Sequence, residues 1–184
     1  MRVDAENAMH RSPGFFRCLG WRLLAALPTG RQLLLGAPLW GLLMAVSAAI
    51  TLLLREGEAT FQLPKILLLF FAGGALAWPF SYFLGRFCAL GRSAETRFAA
   101  YFLFLTVLTI AATAFLYAMD YRLFYARWHA PLGTRIWQYQ FLYTTGAAVY
   151  QFVVLGIRLY LPFGLAALGA TSLWLARRPH DMQR

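Results

Sequence analysis

Charge-free apolar stretches alternate with short charged ones along the whole chain. Five such runs stand out: Gln32–Leu54, Ile66–Gly85, Phe98–Met119, Ile136–Ile157 and Leu159–Ala176. A spanning helix needs about 20 mostly apolar residues, and the first three runs each meet that length with charged flanks. They predict spans over about 33–54, 65–88 and 98–119. Pro38 falls in the first turns of its helix, where a missing N–H costs little. Pro79 falls mid-helix, where a kink is expected that leaves a carbonyl for a neighbour to satisfy.

The last two runs are separated by Arg158 alone and together cover 136–176. One straight helix of that length would be roughly 60 Å, about twice the hydrocarbon thickness. Two full spans do not fit either. The first part mixes Gln138, Gln140, Thr144, Thr145 and Gln151 with Trp137, Tyr139, Tyr143 and Tyr150, a composition suited to the head-group region. The second part is almost purely apolar. The pattern therefore predicts an interfacial helix over about 136–152 and a fourth span over about 153–176, with Arg158 near its outer end. Ahead of the spans, Phe15, Phe16, Leu19, Leu23 and Leu27 recur at helical spacing beside Arg17, Arg22 and Arg31. That predicts a short basic amphipathic helix on the membrane surface, after a disordered stretch 1–13.

The expected fold is an all-α integral membrane protein: a cytoplasmic segment 1–32, a four-helix transmembrane domain 33–176 and a basic tail 177–184. Composition agrees, at 60% hydrophobic and 13% charged residues, where a soluble domain is about a quarter charged. A net charge of +10 would suggest nucleic acid in a soluble protein, but these cations flank apolar runs, so nucleic acid is not an expected partner. Arg2, Arg11, Arg17, Arg22, Arg31, Arg86, Arg92, Arg97, Arg177, Arg178 and Arg184 fall on one side of the spans. Only Arg55, Lys65, Arg122, Arg127 and Arg135 fall on the other. The positive-inside rule then puts both termini in the cytoplasm. An Arg-dominated basic set suggests a GC-rich bacterial genome, hence an inner membrane. Cys18 and Cys88 then face a reducing compartment, and no structural disulfide is expected.

Two stripes of small residues recur at every fourth position: Ala37, Gly41, Ala45 and Ala49, then Gly73, Ala77, Ser81 and Gly85. Such spacing lets helix backbones approach closely, either within one chain or between copies. Chemistry is sparse. No span interior carries Asp, Glu or Lys, and His10, His129 and His180 lie outside the spans. No hydrolase elbow, metalloprotease motif or phosphate loop occurs, and no cofactor or metal is expected. One cluster remains: Asp120, Arg122, Arg127, His129 and Arg135 among Tyr121, Tyr125, Trp128 and Trp137, with Arg158 on the same side. Arg158 can snorkel or pair with Asp120. The cluster suits either an aromatic anchoring belt or a site for an anionic head group.

The expectation for function is a non-catalytic accessory or scaffold subunit packing against other membrane proteins or itself. The alternative is a small transporter, channel or lipid-handling protein that uses the Arg/aromatic site. Membrane lipids, including anionic head groups, are expected partners in either case.

Overall fold

The computed structural model describes residues 15–56 and 62–178, with side chains over 20–54 and 62–178. The expected disorder of 1–13, most of the basic tail, His10, His180 and the side chains of Phe15, Phe16, Arg17, Cys18 and Leu19 lie outside the described residues. Every regular element among the described residues is helical. In chain order they are α1 (Phe15–Ala26), α2 (Gly30–Glu56), α3 (Leu63–Ala89), α4 (Ala94–Tyr125), α5 (Arg135–Gln151) and α6 (Phe163–Arg177). Four helical stretches are long and apolar enough to cross a membrane: Gly30–Leu54, Leu63–Ala89, Ala94–Trp128 and Arg135–Tyr160. That is the arrangement of a multi-pass membrane protein.

Helices α2, α3 and α4 run antiparallel, each to the next. α3 sits between its neighbours and passes through Pro79 without ending. Gly30, Ala89 and Ala94 mark one end of the bundle, termed the near end here; Glu56, Leu63 and Asp120 mark the far end. The small-residue stripes pack within the chain, but not against each other. The α3 stripe faces α4: Gly85 meets the Tyr101 ring, Ser81 Oγ donates to Phe104 O at 3.1 Å, and a Cβ on Gly73 would fall 2.9 Å from the Thr113 Cα. Gly41 of the first stripe packs on Gly74, one position outside the second, with 3.0 Å between the Gly41 Cα and a Cβ placed on Gly74.

The continuous helix expected over 153–176 is not formed. After α5 the backbone loosens into a π-helical turn (Phe152–Gly156), tightens into a 3₁₀ turn (Ile157–Tyr160), and breaks at Leu161–Pro162 before α6. The cause is local. Pro162 has no N–H to continue the helix, and its ring drives Leu161 out of the helical region, to φ −106° and ψ 138°. By length and composition alone, the fourth unbroken apolar stretch is Arg135–Tyr160, because the break leaves α6 with only 15 residues. Its mean hydropathy, 1.2 against 1.7–2.1 for the other three, is the lowest of the four.

Contacts show how this broken stretch sits. Tyr117 bonds to Gln151, Thr113 to Tyr160, and Arg97 to the Arg178 carbonyl. Residues 151–178 thus run antiparallel to α4 and complete a four-path bundle, while α5 lies beyond it against the far end of α4. The core between the paths is largely aromatic. Trp40, Trp78, Tyr82 and Tyr101 form one ladder of adjoining rings, and Phe70, Phe152, Tyr160 and Tyr117 form another. At the near end α1 packs on α3, where Arg22 donates to the last carbonyls of that helix, Phe87 O and Leu90 O, at 3.3 and 3.4 Å. A cation at a helix C-terminus is favourable on dipole grounds. Trp21, Leu24 and Leu27 of the same segment are exposed.

Candidate functional site

The helix break creates the need for the polar groups around it. Carbonyls freed where a helix is interrupted need hydrogen-bond partners, and lipid offers none. Here α2 supplies them. Ser47 Oγ donates to Leu159 O at 3.0 Å, and Thr51 Oγ1 lies 3.1 Å from Leu161 O and 2.9 Å from its own helical acceptor, Ser47 O. On the α4 side, the Tyr160 hydroxyl donates to Thr113 Oγ1 at 2.7 Å, and Thr113 Oγ1 donates to Thr109 O at 2.8 Å. Trp40 Nε1 reaches Thr109 Oγ1 at 3.0 Å, which closes a buried polar line across the bundle.

Two cavities flank the broken segment. One, about 120 Å³, is apolar and lies between α2, α4 and α6, walled by Trp40, Met44, Leu105, Ile157, Tyr160 and Leu168 among others. The other is a cleft of about 490 Å³ at the far end. Its floor is apolar: Ile66, Leu69, Phe70, Phe152, Leu155 and Leu159. Beside Leu52 and Gly156, the rest of its lining is polar: Thr51, Gln62, Lys65, Tyr117, Asp120, Gln151 and Arg158. Lys65 Nζ and Asp120 Oδ2 are 2.8 Å apart, the one ion pair among the described residues. With its partners 57% and 39% exposed, the pair adds little stability and is free to exchange partners. Tyr117 donates its hydroxyl to Gln151 Oε1 at 3.2 Å and ties the cleft wall to the broken segment.

The cluster named from sequence is divided by this geometry. Asp120 and Arg158 both line the cleft, but Asp120 takes Lys65 as its salt-bridge partner rather than Arg158. Arg122 instead lies over the Phe141 ring at 4.1 Å, and Arg127 lies over Trp128 at 5.0 Å. His129 Nε2 is 3.3 Å from Thr144 Oγ1, so it ties the α4–α5 connection to α5. Arg135 opens α5 behind its N-cap Thr134 and is exposed. Arg122 and His129 hold α5, Arg135 opens it and Arg127 stacks at the end of α4; none of the four lines the cleft. Sequence reasoning missed Lys65, Gln62, Gln151 and Tyr117. Lys65 carried a signal, as the single Lys of the chain, placed directly after a helix-opening Pro. Among the described residues no group of three or more His, Cys, Asp or Glu comes together.

Comparison with known proteins finds no family model, no curated protein and no solved structure that this chain matches. Its function has to be argued from the cleft.

Proposed function

We propose that the protein is a lipid-handling membrane protein that holds the phosphate-bearing head of an amphiphile in the far-end cleft. This is the lipid-binding form of the alternative drawn from the sequence. One observation carries it: a cleft of about 490 Å³ joins an apolar floor to a wall bearing Arg158 and Lys65. That volume lies within the range of small-molecule sites, which are mostly apolar with a few placed polar groups. Arg158 offers a planar donor fork suited to phosphate, and Lys65 a second, mobile charge. The apolar floor accommodates the first methylenes of a chain. In the orientation expected from the flanking cations, the cleft opens toward the outer leaflet. Lipid extraction from protein purified in mild detergent tests the proposal. Phospholipid should co-purify with the native protein, and Arg158→Ala should lower the bound amount severalfold without changing yield or elution volume. Equal lipid content in the two proteins would refute it.

A second reading, a scaffold subunit, draws on α5. That helix rests on α4 alone among the long helices and exposes Ile136, Tyr139, Leu142, Tyr143 and Tyr150. Purification as a monodisperse monomer with no accompanying protein would count against it.

A further inference from the structure

The charges lining the cleft are of both signs, and that bears on which head group fits. We infer that the site selects a zwitterionic phosphoamphiphile carrying a primary amine, of the phosphoethanolamine type, with Asp120 as the acceptor for the ammonium. This rests on the phosphate reading above and names the chemical class within it.

A purely anionic head group drawn to Lys65 and Arg158 would also approach Asp120. Asp120 lies 2.8 Å from the Lys65 ammonium, so an anion on Lys65 meets a like charge at short range, which costs affinity. A head group with a phosphate and an ammonium has no such conflict. Its phosphate takes Arg158 and Lys65, its ammonium takes the Asp120 carboxylate, and one exposed internal ion pair is exchanged for charge-assisted contacts on both sides. A primary ammonium brings N–H donors, and the cleft is supplied with acceptors for them, in Asp120 and the side-chain amides of Gln62 and Gln151. A quaternary ammonium has no N–H and is recognised by open aromatic faces instead. Of the three rings lining the cleft, Phe70 and Phe152 are each only 2% exposed, so the half-buried Tyr117 alone offers a face, short of an aromatic cage.

The test measures binding of three phospholipids with identical acyl chains, bearing ethanolamine, choline or glycerol head groups, to delipidated full-length protein in mild detergent by native mass spectrometry. Free phosphoethanolamine is added as a competitor. The ethanolamine lipid should bind about tenfold tighter than the other two, the worth of one charge-assisted hydrogen bond. Asp120→Asn should bring the ethanolamine and glycerol lipids to equal affinity, while Lys65→Met, which removes the competing cation, should keep the preference for amine. Unchanged elution volume and thermal midpoint establish that both variants are folded. Wild-type protein that binds the glycerol lipid as well as the ethanolamine lipid overturns the inference but leaves the phosphate reading standing, as does amine preference surviving in Asp120→Asn. A choline lipid binding best also overturns it. No binding of any of the three defeats the phosphate reading itself. Free phosphoethanolamine should fail to displace the lipid at equal concentration; if it displaces it, the ligand is a soluble head group and the lipid assignment falls.

Discussion

The α3–α4 seam and the broken fourth path are built on opposite principles. Along the seam, two continuous helices keep their backbone hydrogen bonds within themselves apart from the one lost at Pro79, and small residues let them close until Gly73 faces Thr113. Packing of that kind is the main attraction available where lipid is as apolar as the side chains. Along the fourth path the backbone is interrupted at Leu161–Pro162, and its carbonyls become ligands for Ser47 and Thr51 of α2. The seam leaves no room for anything else. The interrupted path leaves two cavities, and the larger one holds the charged groups. Close packing and open volume are thus divided between two sides of one small bundle, as expected where irregular backbone lines a cavity.

The strongest way to break the comparison is to attack the seam. Gly73→Leu places a branched side chain where even a Cβ would lie 2.8 Å from the Thr113 Cβ. Overpacking at a backbone-to-backbone contact should cost about 3 kcal/mol. In practice the variant should lose most of its monodisperse peak in size-exclusion chromatography. Near-normal yield and thermal midpoint would mean that α3 and α4 are not pressed together as described.

A smaller effect is expected at the interrupted path. Replacing Ser47 with Ala and Thr51 with Val removes both hydroxyls that reach the Leu159 and Leu161 carbonyls. Polar contacts between membrane helices are worth about 0.6 to 2 kcal/mol each, so the pair should lower stability by about 2 kcal/mol. Amide exchange should quicken around 159–166 and stay unchanged along α3. Uniform quickening would deny that the fourth path is a separately held element. Ser47→Ala alone should cost less, because Thr51 also lies within reach of Leu159 O, at 3.4 Å.

The sequence made the two sides unequally legible. Three helices followed directly from apolar run length, because each is continuous, keeps nearly all its backbone hydrogen bonds internal and needs only lipid or a neighbour around it. The small-residue stripes announced close packing, but not which face meets which helix, since that depends on rotation about the helix axis. The fourth path was harder. Arg158 drew attention as the break in apolarity, while the backbone breaks a few residues later at Pro162, in a segment whose hydropathy gives no warning. The preference of the residue before proline for extended backbone was the signal available there. The candidate site was legible in part. Asp120 and Arg158 were both named, but Lys65 enters from a different helix and needed the fold to place it beside Asp120. Hydrogen bonds such as Tyr117 to Gln151 join positions 34 apart and leave no trace in local pattern.

The smallest expected effect separates the cleft from the aromatic belt beside it. Arg122 and Asp120 are two residues apart on α4, yet Arg122 lies over the Phe141 ring of α5 at 4.1 Å and does not line the cleft. A cation–π contact of this kind is worth about 0.5 to 1 kcal/mol at exposed sites. Arg122→Met keeps an apolar stem against Phe141 and removes the charge, so the thermal midpoint should fall only slightly. Exchange should quicken in the first half of α5, where Phe141 sits. Phospholipid binding should stay as in the native protein, in contrast to Arg158→Ala. If Arg122→Met loses lipid as severely as Arg158→Ala does, the belt and the cleft act as one surface. The division drawn at Asp120 would then be wrong, and the first half of α5 would belong to the binding site together with Gln151 at its end.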